Sequence, residues 1–101
     1  MGPTDPLARY RRFLKRRNYS VHTVKNYMNI LDRFRAWVQM PIEQVSPRQT
    51  DAYMEHLLRS RRTPKTINCH FSCLHAFYDY LIEEEELPIA NPVRKHYRLR
   101  Q

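Results

Sequence analysis

The sequence contains a single glycine, Gly2, so no internal turn can draw on glycine to reach positive φ. This disfavours hairpin-rich folds, whose tight turns lean on glycine, and favours helices joined by short polar turns. Cysteine is nearly as scarce. Cys69 and Cys73 stand four apart in one helical stretch, which excludes a disulfide framework and suits a reducing, cytoplasmic setting. No apolar run approaches the ~20 residues needed to span a membrane, and no segment reads as a signal-peptide core.

Acidic residues are few and unevenly spread. Eighteen Lys and Arg face ten Asp and Glu, for a net charge of +8. Five of the ten acids, Asp79 and Glu83 to Glu86, fall in one short segment without Lys or Arg. The other five, set against the eighteen cations, leave +13 on the rest of the chain. So lopsided a field suggests a polyanionic partner, either nucleic acid or an anionic membrane surface, with a basic protein kept soluble by its charge as the plain alternative. What remains is enough for a core: hydrophobic residues make up 42 % of 101 residues, twelve aromatics among them. A chain of this size buries roughly 65 % of the surface its unfolded form exposes, and reads as one domain.

Start signals and periodicity predict four helices. Asp5 before Pro6 places a cap and an N1 proline ahead of a helix to about Arg17, with Leu7, Tyr10, Phe13 and Leu14 as its apolar stripe. Ser20 caps a second helix to about Val38. Its stripe is Val24, Met28, Leu31 and Val38, widened by Tyr27, Ile30, Phe34 and Trp37. Ile42 and Val45 sit in a connector and plug the core. Ser46, Pro47 and Gln49 form a capping-box signature for a third helix that buries Tyr53, Met54, Leu57 and Leu58. Thr63 and Pro64 open a fourth, running to about Glu85, with Ile67, Phe71, Leu74, Phe77, Tyr78 and Leu81 inward. The acids at its carboxyl end oppose the helix dipole, so fraying is expected there.

Polar residues concentrate at two helix starts. Ser20, His22, Thr23, Lys25 and Asn26 gather in the first turns of helix two, and Arg62, Thr63, Lys65, Thr66 and Asn68 at the start of helix four. Ser20 and Thr63 serve as caps in any case, and a lone lysine is ordinarily solvated charge. The repetition of one composition at two helix starts is what points to a ligand. Free backbone N–H groups and the positive end of the dipole hold phosphates, and short Ser, Thr and Asn side chains allow close approach to base edges.

The pattern Ser20-x-x-Thr23-x-x-x-Tyr27-x-x-x-Leu31-x-x-Phe34-x-x-Trp37 resembles the second helix of the core-binding domain of tyrosine recombinases, the phage integrase and Xer-type family. Thr66-Ile67-Asn68-x-x-Phe71-Ser72-x-Leu74-x-x-Phe77-Tyr78-x-Tyr80-Leu81, followed by Asn91-Pro92, resembles its fourth helix and exit. The resemblance spans about residues 7 to 93. It implies an all-α, four-helix SAM-like orthogonal bundle forming one jaw of a clamp on double-stranded recombination-site DNA, with helices two and four in the major groove. Carried over by position, it places DNA-facing residues at His22, Asn26, Thr66, Asn68 and Cys69, with Lys25, Arg62 and Lys65 on phosphates beside them. Cys69 and His75 depart from the arginine frequent in that helix, and a cysteine cannot read guanine in bidentate fashion.

The resemblance further implies residues 1–93 as the DNA-binding domain and 94–101 as a basic linker toward a catalytic domain that this chain lacks. The nucleophilic tyrosine and its activating arginines and histidine would lie there, so the chain itself is expected to be no enzyme. Implied partners are DNA, the catalytic domain of the same parent chain and other recombinase protomers, with no membrane and no cofactor.

Other classes remain open at this level. A basic helical module docking on an acidic partner would show the same core stripes. RNA reading would call for exposed aromatic platforms, whereas most aromatics here fall on core stripes. Cys69, His70, Cys73 and His75 cluster in sequence, but helical geometry points the two histidines away from the shared cysteine face. Nothing in the sequence supplies either cysteine with the oriented base that nucleophilic catalysis needs.

Overall fold

A computed structural model describes residues 5–93 of the chain. Four α-helices make up most of it: α1 (Pro6–Arg16), α2 (Val21–Val38), α3 (Pro47–Arg59) and α4 (Pro64–Glu83), with a 3-10 turn at Ile42–Gln44 between α2 and α3. The described residues contain no strand. The protein is an all-α four-helix bundle.

Each helix start is fixed by residues adjacent in sequence. Asp5 Oδ1 accepts from the Leu7 amide at 3.0 Å, and Pro6 occupies the first helical position. Ser20 Oγ accepts from the Thr23 amide at 3.1 Å, and Thr63 Oγ1 from the Thr66 amide at 3.2 Å. At α3 the Ser46 amide donates to Gln49 Oε1 at 2.9 Å, the glutamine half of the expected capping box. Replacing such a cap with alanine typically loses about 1 kcal/mol.

The core is organised around α4. All six predicted stripe residues of this helix are buried, and Leu74, Phe77 and Tyr78 have no exposure at all. Cys73 and Tyr80 join them, so this helix is buried over more than one stripe. Helix α1 meets it through aromatics, with Tyr10 5.2 Å from Phe77 and Phe13 4.8 Å from Tyr80 between ring centroids. Phe34 of α2 packs edge-on against Tyr53 of α3 at 5.0 Å. Ile42 and Val45 are both buried, and the Tyr78 hydroxyl donates to the Ile42 carbonyl at 2.8 Å, pinning the connector to α4.

Several expectations need correction. Trp37 and Leu58 lie on predicted stripes yet remain 39 % and 47 % exposed, because those stripes are wider than the contacts neighbouring helices make. Phe13, Tyr27, Met28 and Val38 are only partly buried against the core.

Positive φ is used after all, by residues other than glycine. Asn18, Gln39, Arg61 and Glu86 adopt φ between 51° and 63°, one just beyond each helix. Asparagine tolerates this region; the other three hold it at some cost in backbone strain.

The acidic end of α4 does not simply fray. The helix stops at Glu83, and Glu85 turns back onto α1, where it accepts from Arg9 Nε at 2.7 Å and from the Tyr80 hydroxyl.

The stretch after α4 is fastened to the bundle. Asn91 Nδ2 donates to the His75 carbonyl at 3.1 Å and to Asp79 Oδ1 at 3.0 Å. The buried Thr50 hydroxyl donates to the Pro92 carbonyl at 2.6 Å, and Val93 is buried. The predicted linker 94–101 lies outside the described residues.

Candidate nucleic-acid interface

The two helix starts singled out above carry the same local device. At α2 the Ser20 hydroxyl donates to Thr23 Oγ1 at 2.9 Å, and at α4 the Thr63 hydroxyl donates to Thr66 Oγ1 at 3.1 Å. In each pair the first residue caps the helix. The threonine, accepting on its oxygen, keeps its own proton to give to an outside acceptor.

The start of α4 borders a groove of about 370 Å³, whose other wall is α2 from Asn26 onward. Helix α2 contributes Asn26, Asn29, Ile30 and Arg33; the α3–α4 turn contributes Arg62; helix α4 contributes Lys65, Thr66, Cys69 and His70. Asn26 Nδ2 approaches Cys69 Sγ to 3.9 Å across it. Three cations line the groove and no carboxylate does. Among the described residues Arg33 and Arg62 enter no ion pair, and the buried Arg62 Nε finds no hydrogen-bond partner.

Of the nine residues expected at the site, Asn26, Arg62, Lys65, Thr66 and Cys69 converge here. His22, Thr23 and Lys25 do not line the groove. His22 and Lys25 are exposed on the first turns of α2, and Lys25 borders a separate depression with Arg11, Lys15 and Val21. Asn68 is a correction: it is only 4 % exposed, on the inward side of α4, and has no path to a base edge in this conformation. Asn29, Arg33 and His70 were not anticipated. A signal for the first two was available, since Asn26, Asn29 and Arg33 follow i, i+3, i+7 spacing along one face of α2. His70 offered none, because its burial depends on α3.

The electrostatics of the groove act on His70. Burial, reinforced by the nearby Arg62 and Arg33 guanidiniums, lowers its pKa to about 4. It is therefore neutral near pH 7, and its Nδ1 lies 3.4 Å from the Tyr53 hydroxyl. Burial likewise raises the Tyr53 pKa.

The site offers cations, amide donors and hydroxyl donors, the complement of a phosphate-lined surface. Cys73 is fully buried, and that burial pushes its thiol pKa far above the ordinary range. No three His, Cys, Asp or Glu side chains among the described residues converge to hold a metal ion, and no helix there is long and apolar enough to cross a membrane.

A small helical bundle with a carboxylate-free cationic groove between two helices defines the class. Residues 7–87 match the phage integrase N-terminal SAM-like domain, and the chain belongs to that family. No curated protein and no solved structure matches it. Membership gives the chain a recombinase-related role, and the matching region is that of an N-terminal domain.

Proposed function

We propose that the chain grips double-stranded DNA through the α2/α4 groove and seats a site-specific tyrosine recombinase on its recombination site, in support of DNA integration and recombination. The observation that carries this reading is the groove's charge. Arg33, Arg62 and Lys65 face one opening with no carboxylate among its lining residues, in a member of the integrase family. Lys25 extends the cationic surface along α2, and Thr66 adds a hydroxyl donor at the start of α4. Asn26, which is exposed, would be the reader of a base edge in preference to the buried Asn68.

In this reading residues 1–93 form the DNA-binding domain, and residues 94–101 lead toward a catalytic domain. Cleavage and rejoining belong to that domain, and none of this chain's residues carries out chemistry. DNA, the catalytic domain and further protomers are its partners inside the cell.

Binding is expected to be mainly electrostatic. With Lys25, Arg33, Arg62 and Lys65 each on a phosphate, log K falls with log salt at a slope of about −3.6. Titrating a labelled duplex across salt concentrations tests this, and a flat response refutes it. Amide NMR shifts on duplex addition are expected from Val21 to Asn26, at Asn29 and Arg33, and from Arg62 to Cys69.

A further inference from the structure

A second, shallower depression of about 420 Å³ adjoins the groove and shares Arg33 and Arg62 with it. Its distinctive wall is aromatic. Trp37 is 39 % exposed, its ring stacked on His56 at 5.5 Å with 28° between planes and 5.3 Å from the ring of Tyr53. The sequence pattern predicts a core Trp37, and with it too few exposed aromatics for single-strand reading. Trp37 is where both fail.

Trp37 thus keeps part of its indole open to water while a second ring holds it in place. The shelf is also charged in one sense. No carboxylate lines it, and neither of its two guanidiniums enters an ion pair among the described residues. An aromatic face set beside uncompensated arginines matches a nucleotide, which carries a flat ring and an anion one sugar apart.

We infer that the Trp37–His56 shelf takes one unpaired base of a DNA strand whose neighbouring phosphates lie on Arg33 and Arg62. The inference rests on the α2/α4 groove as the phosphate site and adds a ligand class to it: a strand that leaves the duplex, by a frayed end or an overhang. The base stacks on the indole, and the shared arginines join the paired and unpaired parts of one strand. An acidic peptide with aromatic residues has related chemistry but lacks the fixed alternation of ring and phosphate.

Trp37 is the sole tryptophan, so its fluorescence reports the shelf directly. The intact chain is titrated with a blunt duplex, the same duplex carrying a three-nucleotide overhang, a single-stranded oligothymidylate and a peptide of aspartate and tyrosine. The overhang duplex is expected to bind about tenfold tighter than the blunt one and to quench Trp37, which the blunt duplex does not. Trp37→Leu, followed by anisotropy of labelled DNA, is expected to remove the overhang gain and leave blunt-duplex affinity unchanged. His56→Ala does the same in part while keeping the fluorophore and the fold.

Equal affinity for both duplexes without quenching overturns the shelf and leaves the groove intact. Quenching by the single strand and the overhang, with no binding of blunt duplex, keeps the shelf and overturns the groove as a duplex site. Quenching by the peptide alone overturns the inference in favour of a protein partner.

Discussion

Arg33 and Arg35 stand two residues apart on α2 and meet opposite circumstances. Arg35 bonds Asp5 at 2.8 Å and Asp32 at 3.4 Å, tying α2 to the cap of α1. Arg33 has no carboxylate partner among the described residues and lines the groove. The same division runs through the molecule. On one side Arg9 meets Glu85 and Arg17 meets Glu84, so the cations serve the fold; on the other, Arg33, Arg62 and Lys65 are left uncompensated. Net charge alone does not locate a polyanion site. In the proposed reading, what marks it is a groove lined by cations and by no carboxylate.

The comparison breaks most visibly if the unpaired arginines are removed. Arg33→Ala and Arg62→Ala are each expected to weaken duplex binding at least about tenfold at low salt, since each removes a charged contact. Neither is expected to lower the melting temperature, because no folded ion pair is lost. Arg35→Ala is the converse: melting falls and DNA affinity barely changes. Anisotropy titrations and thermal melts on the same preparations check both halves, and a common response from Arg33 and Arg35 would erase the distinction.

A smaller effect is expected on the paired side. Arg9 and the Tyr80 hydroxyl hold the Glu85 pKa below its usual value, despite an opposing contribution from burial. A carboxylate with a depressed folded pKa adds stability above its unfolded pKa, about 4.3, and loses it as pH falls through the folded value. Glu85→Gln is expected to cost about 1 kcal/mol near pH 7, or 4–8 °C in melting temperature, and to remove part of the acid sensitivity below about pH 4.3. Melting curves at pH 7 and pH 3.5 for both forms measure it; an unchanged pH dependence would show that Glu85 does not hold α1 to the end of α4.

The smallest effect sharpens the comparison through the backbone. Gln39 holds φ at 51° immediately after α2, far from any groove contact in its own right. Gln39→Gly is expected to raise stability by about 0.5 kcal/mol, because the left-handed region carries no side-chain penalty for glycine. DNA affinity should stay unchanged. Chemical denaturation resolves a shift of this size, and destabilisation would mean that the Gln39 side chain contributes a contact the strain argument omits.

The features legible in sequence were those set by near neighbours. The caps at Asp5, Ser20, Ser46 and Thr63 and the prolines after three of them fix helix starts within a few residues, so all four elements could be placed. The inward stripe of α4 was equally readable, because its apolar residues recur at helical spacing over about four turns. Half of the site was legible for the same reason: Asn26, Lys65, Thr66 and Cys69 follow helix starts.

What escaped was set by partners distant in sequence. Glu85 finds Arg9 across 76 positions, and no local pattern announces it. Asn68 and His70 turn inward because of how α4 meets its neighbours, which periodicity cannot decide for polar residues on the flank of a stripe. Trp37 and Leu58 lie on such flanks too, and only the final spacing of helices leaves them outside.

The fastening of residues 91–93 has a mechanical consequence. Thr50 lies near the start of α3, and His75 and Asp79 lie in the body of α4, so the strand leaving the bundle is tied to two helices at once. Tension applied beyond Val93 is delivered across both as shear and does not peel α4 away from its carboxyl end.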